Sequence, residues 1–362
     1  MKLKESFKNL RSNVNNTFSY LSVYHSFYKR HKAIYRNSNF ERSSLTLSER
    51  KQYLNYWKDI SPHINLKTVE ITKSLSGKFN KYIVPEEFFP LYIEPKLNND
   101  NVTFLENKSL YNKWFDEGIF PKDYLHKIGN CYYDSEFELI QDVESFIDNN
   151  IKDTDLPLII KPNKDSYGGA NIYSVSNKSE IIPILANHSD LVVQEKIQQS
   201  ELINKFNRDS INSIRVCLYK DYNGIFNVIN TSLRMGVDGS LDNVSAGGIS
   251  CNISLLGVMN EYAVSKQGKK YYSHPNSGFV FKDYQFPLYP ELLNTSINIA
   301  KNIVGAKLVS IDIVLDSSDQ WRCIEINLLG QTIRFAQYAG EPFFGVFTDE
   351  IKRLIIESQI EK

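Results

Sequence analysis

The stretch SIDIVLDSSDQWRCIEINLLGQT, residues 310–332, sets two strand-like apolar runs about a polar turn, and an acid interrupts each run. Asp312 sits among Ile311, Ile313, Val314 and Leu315, and Glu325 sits between Ile324 and Ile326. A turn over Ser317–Gln320 pairs Asp316 with Trp321 and places Asp312 directly opposite Glu325. Side chains alternate along a strand, so Asn327 shares a face with Glu325. Like charges directly opposite are destabilising, and ionised carboxylates withdrawn from water without partners are costly. A divalent cation removes the conflict, and two carboxylates with an amide oxygen are hard donors that suit Mg²⁺. Two other resolutions stand beside it: an acid face turned to solvent at a sheet edge, or neutralisation by Arg322 or another base.

A metal shared with phosphates calls for cations and backbone N–H groups upstream. Lys161 ends the apolar run of LIIKPNKDSYGGANIYSV, and Ser166, Gly168 and Gly169 form a turn whose glycines let the backbone approach an anion. No Lys-Ser/Thr opens a helix after the glycines, so this is not a Walker loop, and a plain hairpin turn is the competing reading. LVVQEKIQQSE, residues 191–201, is a strand end whose free edge suits a purine, with Glu201 near enough to serve ribose hydroxyls. Arg215 in SINSIRVCLY and Arg234 in SLRMG are cations inside strand patterns, as a phosphate clamp requires; arginines lying along a surface look the same.

The rest of the chain bounds the class. Its 362 residues suffice for two or three packed regions, and 42% apolar with 23% charged residues is the balance of a water-soluble globular protein. No apolar run is long enough to span a bilayer, and MKLKESFKNLRSNVNN turns polar before a secretory leader develops, so a cytoplasmic protein is expected. Cys131, Cys217, Cys251 and Cys323 are scattered singly, which suggests neither a disulfide framework nor a zinc site. Zero formal charge gives no pull toward nucleic acid, yet residues 1–60 hold twelve Lys and Arg against four acids. With aromatics in FSYLSVYHSFYKRHKAIY, that segment suits an anionic membrane face, or it is simply a solvated helical surface.

Helical patterns fill residues 1–75, with Thr46 or Ser48 as a helix cap. Residues 76–155 form a linking part in which Pro85, Pro90 and Pro95 predict extended, turn-rich chain. From 156 to 362, hairpin-like strands without intervening helices predict antiparallel sheet with helices on one side, an α+β core divided near residue 200.

In this order the motifs resemble the ATP-grasp superfamily, and more closely its sugar-transfer-associated branch. The resemblance rests on Asn107-Lys108, IIKP, DSYGG, VVQEKI, SINSIRV, LRMG with LDNVSAGGIS, and DIVLD followed by EIN, and covers about residues 80–345. It implies ATP held between two α+β subdomains, residues 156–200 acting as a nucleotide lid. Lys108 and Lys161 would contact phosphates, and Ser166, Gly168 and Gly169 would close over them. Gln194, Glu195, Lys196, Ile197 and Glu201 would surround the adenosine. Asp312, Glu325 and Asn327 would hold Mg²⁺, two ions, while Arg215 and Arg234 would hold the transferred phosphate. Where many relatives continue with Pro-Gly, this chain reads LLGQTIRFAQ, so acceptor specificity does not carry over.

What the resemblance implies is a ligase that joins a carboxylate to an amine through an acyl phosphate, acting on a cell-surface glycan precursor such as a sugar acid. A phosphotransferase on the same site and a non-catalytic nucleotide or glycan binder are the alternatives. Asp312→Asn and Glu325→Gln should then abolish turnover and leave the fold intact.

Overall fold

Strand-forming runs after Pro121 become thirteen strands in a computed structural model that describes residues 21–37, 40–164, 171–240, 242 and 244–360. By internal contact the chain forms two units. One comprises residues 1–97, 266–270 and 332–362, the other 98–265 and 271–331.

The first unit is helical within its described residues. A helix over 21–36 precedes Leu47–Trp57, which Thr46 caps as expected: its hydroxyl accepts from Glu49 N–H while the Glu49 carboxylate accepts from Thr46 N–H. Lys67–Ser76 and the C-terminal Thr348–Ile360 complete the larger helices. The chain around Pro85 is irregular and turn-rich as expected, but Pro90 and Pro95 do not extend it. A π-helical turn over Phe89–Ile93 runs into a short helix at Glu94–Leu97, and its prolines lie near helix starts, where no amide donor is required. Phe89 packs edge-on to Phe343 in the buried core of this unit.

The second unit holds two antiparallel sheets, as the hairpin succession predicts. The six-stranded sheet runs β3-β2-β1-β6-β4-β5, from β1 (Asp123–Ile128), β2 (Cys131–Tyr133), β3 (Leu139–Ile140), β4 (Leu158–Pro162), β5 (Tyr173–Val175) and β6 (Leu191–Glu195). One of its faces carries Leu158, Ile160, Val175, Leu191 and Val193 against helices Val143–Asn150 and Ile181–Asn187.

The seven-stranded sheet runs β11-β10-β9-β8-β7-β12-β13, from β7 (Ser213–Lys220), β8 (Phe226–Met235), β9 (Ile249–Ile253), β10 (Met259–Ser265), β11 (Lys270–Tyr271), β12 (Leu308–Leu315) and β13 (Trp321–Asn327). Its apolar face, including Ile214, Leu233, Cys251 and Ile311, packs on helix Tyr289–Lys301 through Leu292, Ile299 and Ala300. That helix ends at Lys301, short of Gly305, because its last turn closes on Asn302. Alternation leaves Arg215, Arg234 and Asp312 on the opposite face.

Candidate active site

Asp312 faces Glu325 across β12 and β13, as the sequence predicts. The register near the turn differs from expectation: Leu315, not Asp316, stands opposite Trp321, and Ile313 stands opposite Cys323. A β-bulge then inserts Ile324 as an extra residue and shifts the pairing by one, so that Ile311 meets Ile326 and Ser310 meets Asn327. The bulge lets Trp321, Cys323 and Ile326 all reach the core while Glu325 and Asn327 turn away from it.

Protein cations meet both acids. Arg215, paired with Asp312 across β7 and β12, donates from Nε to Oδ1 at 2.8 Å and from Nη2 to Oδ2 at 2.7 Å. Arg234 donates from Nη1 to Oδ2 at 3.0 Å. Lys108 Nζ lies 2.8 Å from Glu325 Oε1. Arg322, the base singled out from sequence, pairs instead with Glu195 at 2.6 Å and Asp316 at 3.3 Å. Burial alone would raise the Asp312 pKa, but Arg215 and Arg234 outweigh it and hold the carboxyl down at about 2. Burial opposes the Arg215 charge, and Asp312 more than compensates by holding the guanidinium protonated.

The bulge has a second effect. It turns the Ile324 carbonyl toward the neighbouring sheet, where it accepts from Lys161 Nζ at 3.2 Å. Burial, followed by the nearby charge of Lys108, lowers the Lys161 pKa to about 8. Lys161 and Ile159 on β4, Ile172 and Ser174 at β5 and Gln194 on β6 line one side of a 620 Å³ cleft within the second unit. Arg234, Asp312, Ile324 and Glu325 line the other.

The other predicted residues fall around this cleft. Glu195, Lys196 and Ile197 line it; Gln194 Nε2 donates to Asp123 Oδ1 at 2.7 Å. The β6 ladder ends at Glu195, and the chain runs on without regular pairing until Gln199 bridges to Asp316. Glu201 stands outside the lining, strongly exposed and paired with Arg208, which does line the cleft. Asn327 is half-buried, and its Nδ2 is shielded from solvent with no hydrogen-bond partner among the described residues. Ser166, Gly168 and Gly169 lie outside the described residues.

Several members of the site escaped sequence reasoning. Asp123 opens β1 after a turn and gave no signal, yet it is 4% exposed, and burial raises its pKa to about 6. Asp242, hydrogen-bonded to Ser213 Oγ, also lines the cleft; it lies within LDNVSAGGIS, which pointed to the loop but not to the residue.

Residues 170–350, half of the chain, match the family model described as sugar-transfer associated ATP-grasp. No curated protein sequence matches. Among solved structures the chain is similar to D-alanyl-alanine synthetase A from Vibrio cholerae, with a TM-score of 0.42 and 12% identity over 71% of this chain and 65% of that one. D-alanine-D-alanine ligase from Coxiella burnetii gives 0.41 and 12%, over 73% and 60% respectively. A biotin carboxylase complex with beta-gamma-ATP from Campylobacter jejuni gives 0.44 and 14%, over 70% and 47%. The chain thus spans less than two thirds of each of these proteins. Among its described residues no helix is long and apolar enough to cross a membrane.

Proposed function

The chain belongs to the sugar-transfer associated ATP-grasp family, and from that membership we propose an ATP-dependent carboxylate–amine ligase that forms an amide through an acyl phosphate. One observation carries the reading. Lys108, Lys161, Arg215 and Arg234, none more than about a quarter exposed, converge on two facing carboxylates. Around these two carboxylates the cations are in local surplus, four against two, a balance suited to a polyphosphate at this point, while Glu195, Asp209 and Asp242 also line the cleft.

In this reading the base lies near Lys196 and Ile197, where the strand edge is unpaired. Lys161 and Lys108 meet the phosphates, and Arg215 and Arg234 hold the group in transfer. The carboxylate oxygen of one substrate attacks the γ-phosphorus and ADP leaves. The amine then attacks the acyl carbon, inorganic phosphate departs, and the nitrogen loses a proton. Positioning and charge neutralisation supply such catalysis, without a protein nucleophile.

Asp312, Glu325 and Asn327 would hold Mg²⁺, and the donor set fits: all three offer oxygen, and three hydrogen bonds to Asp312 leave room among its roughly four lone-pair sites. Bound there, Mg²⁺ would supply positive charge that neutralises phosphate; two ions are proposed. The acid is proposed to be a sugar acid of a cell-surface glycan precursor and the setting the cytoplasm, where the basic N-terminal segment would rest on the membrane. Incubation with ATP, Mg²⁺ and paired libraries of acids and amines tests the reading. ADP release that requires both partners supports it, whereas a product that gains phosphate without an amine makes the chain a kinase instead.

A further inference from the structure

Five carboxylates line the cleft, and four of them are accounted for: Asp312 holds Arg215 and Arg234, Glu325 holds Lys108, Glu195 holds Arg322, and Asp209 is exposed to water. The fifth is Asp242. It is half-buried, and its Oδ2 accepts from Ser213 Oγ, while Oδ1 forms neither a hydrogen bond nor an ion pair among the described residues. Ser213 is 1% exposed and stands opposite Arg234 in the ladder of β7 and β8, which sets this carboxylate on the Arg234 side of the cleft. A sheltered carboxylate with one neutral donor lacks the charged partner that would repay its lost hydration.

The turn after β8 that leads to Asp242 is fastened on both sides. Gly236 has no room for a side chain, since a Cβ there would stand 2.0 Å from the Ser240 carbonyl oxygen. Its own carbonyl accepts from His274 Nε2 at 2.9 Å and from Asn207 Nδ2 at 3.0 Å, and Val237 N–H donates to Ser240 Oγ at 2.8 Å.

We infer that Asp242 is the catalytic residue on the amine side of the reaction: Oδ1 accepts a hydrogen bond from the attacking amine and takes its proton as the amide forms. The inference rests on the ligase reading of the cleft. The nitrogen lone pair forms the C–N bond at the acyl carbon, and the C–O bond to phosphate breaks with its electrons leaving on inorganic phosphate. The positive charge that develops on nitrogen meets the Asp242 carboxylate, and the N–H proton passes to Oδ1. Arg234, on the same side, holds the phosphate that departs.

Hydroxylamine separates this step from the one before it, because it captures acyl phosphates as hydroxamates and is already unprotonated at neutral pH. The full chain is incubated with ATP, Mg²⁺ and pooled sugar acids, with pooled amino acids or with hydroxylamine, and products are read by mass spectrometry. In Asp242→Asn, amide formation should fall by ~10²–10⁴-fold, the loss typical of a removed general base, while hydroxamate formation and calorimetric ATP binding persist. Should that variant not fold, Asp242→Ser carries the same comparison. Undiminished amide formation overturns the inference, as does an equal loss of amide and hydroxamate. Loss of ATP binding in excess Mg²⁺ also overturns it and makes Asp242 a nucleotide or metal group. These three leave the ligase reading standing, whereas a wild type that forms neither product overturns that reading and the inference with it.

Discussion

Asp312→Asn should destabilise the nucleotide-free protein, contrary to the expectation drawn from two facing acids alone. Asp312 is 5% exposed at its side chain and accepts three hydrogen bonds from two arginines. Its carboxyl is held at about 2 against an ordinary 3.8, a native-state preference on the order of 2–3 kcal/mol. Removing one partner from a buried ion pair costs about 3–5 kcal/mol, because the remaining charge stays buried. Asparagine keeps one acceptor oxygen, so a loss near ~3 kcal/mol is expected. Since the shift is downward, this stability is complete above pH 3.8 and is lost as the pH falls toward 2, so measurement at pH 7 captures all of it. At about 2–4 °C per kcal/mol, the melting temperature should fall by ~6–12 °C. Circular dichroism melts of Asp312→Asn and Glu325→Gln form the assay. Glu325 is 27% exposed and pairs with Lys108, so its variant should lose no more than ~1 kcal/mol. An Asp312→Asn protein as stable as the wild type would refute the reasoning and show that repulsion between the acids outweighs their pairing with cations.

Two further outcomes follow from titrating groups. Lys161 loses its proton near pH 8, so ATP affinity should fall as the pH rises past that value, and Lys161→Met should bind weakly with no such dependence in pH-resolved titrations. Burial, followed by the neighbouring Glu86, raises the Glu87 pKa to about 7, and its Oε2 is buried without a partner among the described residues. Its stabilising contribution is complete below about pH 4.5 and is lost as the pH rises through 7, a change of roughly 3 kcal/mol. Urea midpoints followed by Trp57 fluorescence should therefore shift less with pH in Glu87→Gln than in the wild type.

Much of the site was legible because acids inside apolar strand patterns demand a reason. The facing of Asp312 and Glu325 followed from the turn and the period of two, although the turn is offset by one residue and the bulge at Ile324 restores the pairing. Nothing local to Ile324 marks a bulge; it arises because Trp321, Cys323 and Ile326 must all reach one core. The identity of the neutralising cations was equally hidden, since Arg215 and Lys108 are distant in sequence from the acids they meet. The prolines at 90 and 95 misled because each permits a helix start as readily as an extended turn. Asp123 was invisible for the opposite reason: a single acid after a lysine looks like surface, and only pairing of β1 with β6 sets it against Gln194.

The segment from Glu195 to Gln199 also acts as a tether. It leaves the six-stranded sheet at Glu195 and is fastened to the tip of the acid-bearing hairpin by the Gln199–Asp316 bridge, by Ser200 N–H donating to the Leu315 carbonyl at 3.0 Å and by the Ser200–Asp319 hydrogen bond. Four peptide units reach at most ~14 Å when fully extended. The two sheets are therefore held on a short leash at this end, and because Lys196 and Ile197 of that leash also line the cleft, slack introduced by inserting glycines into it would loosen the hold between the sheets and displace the cleft wall together.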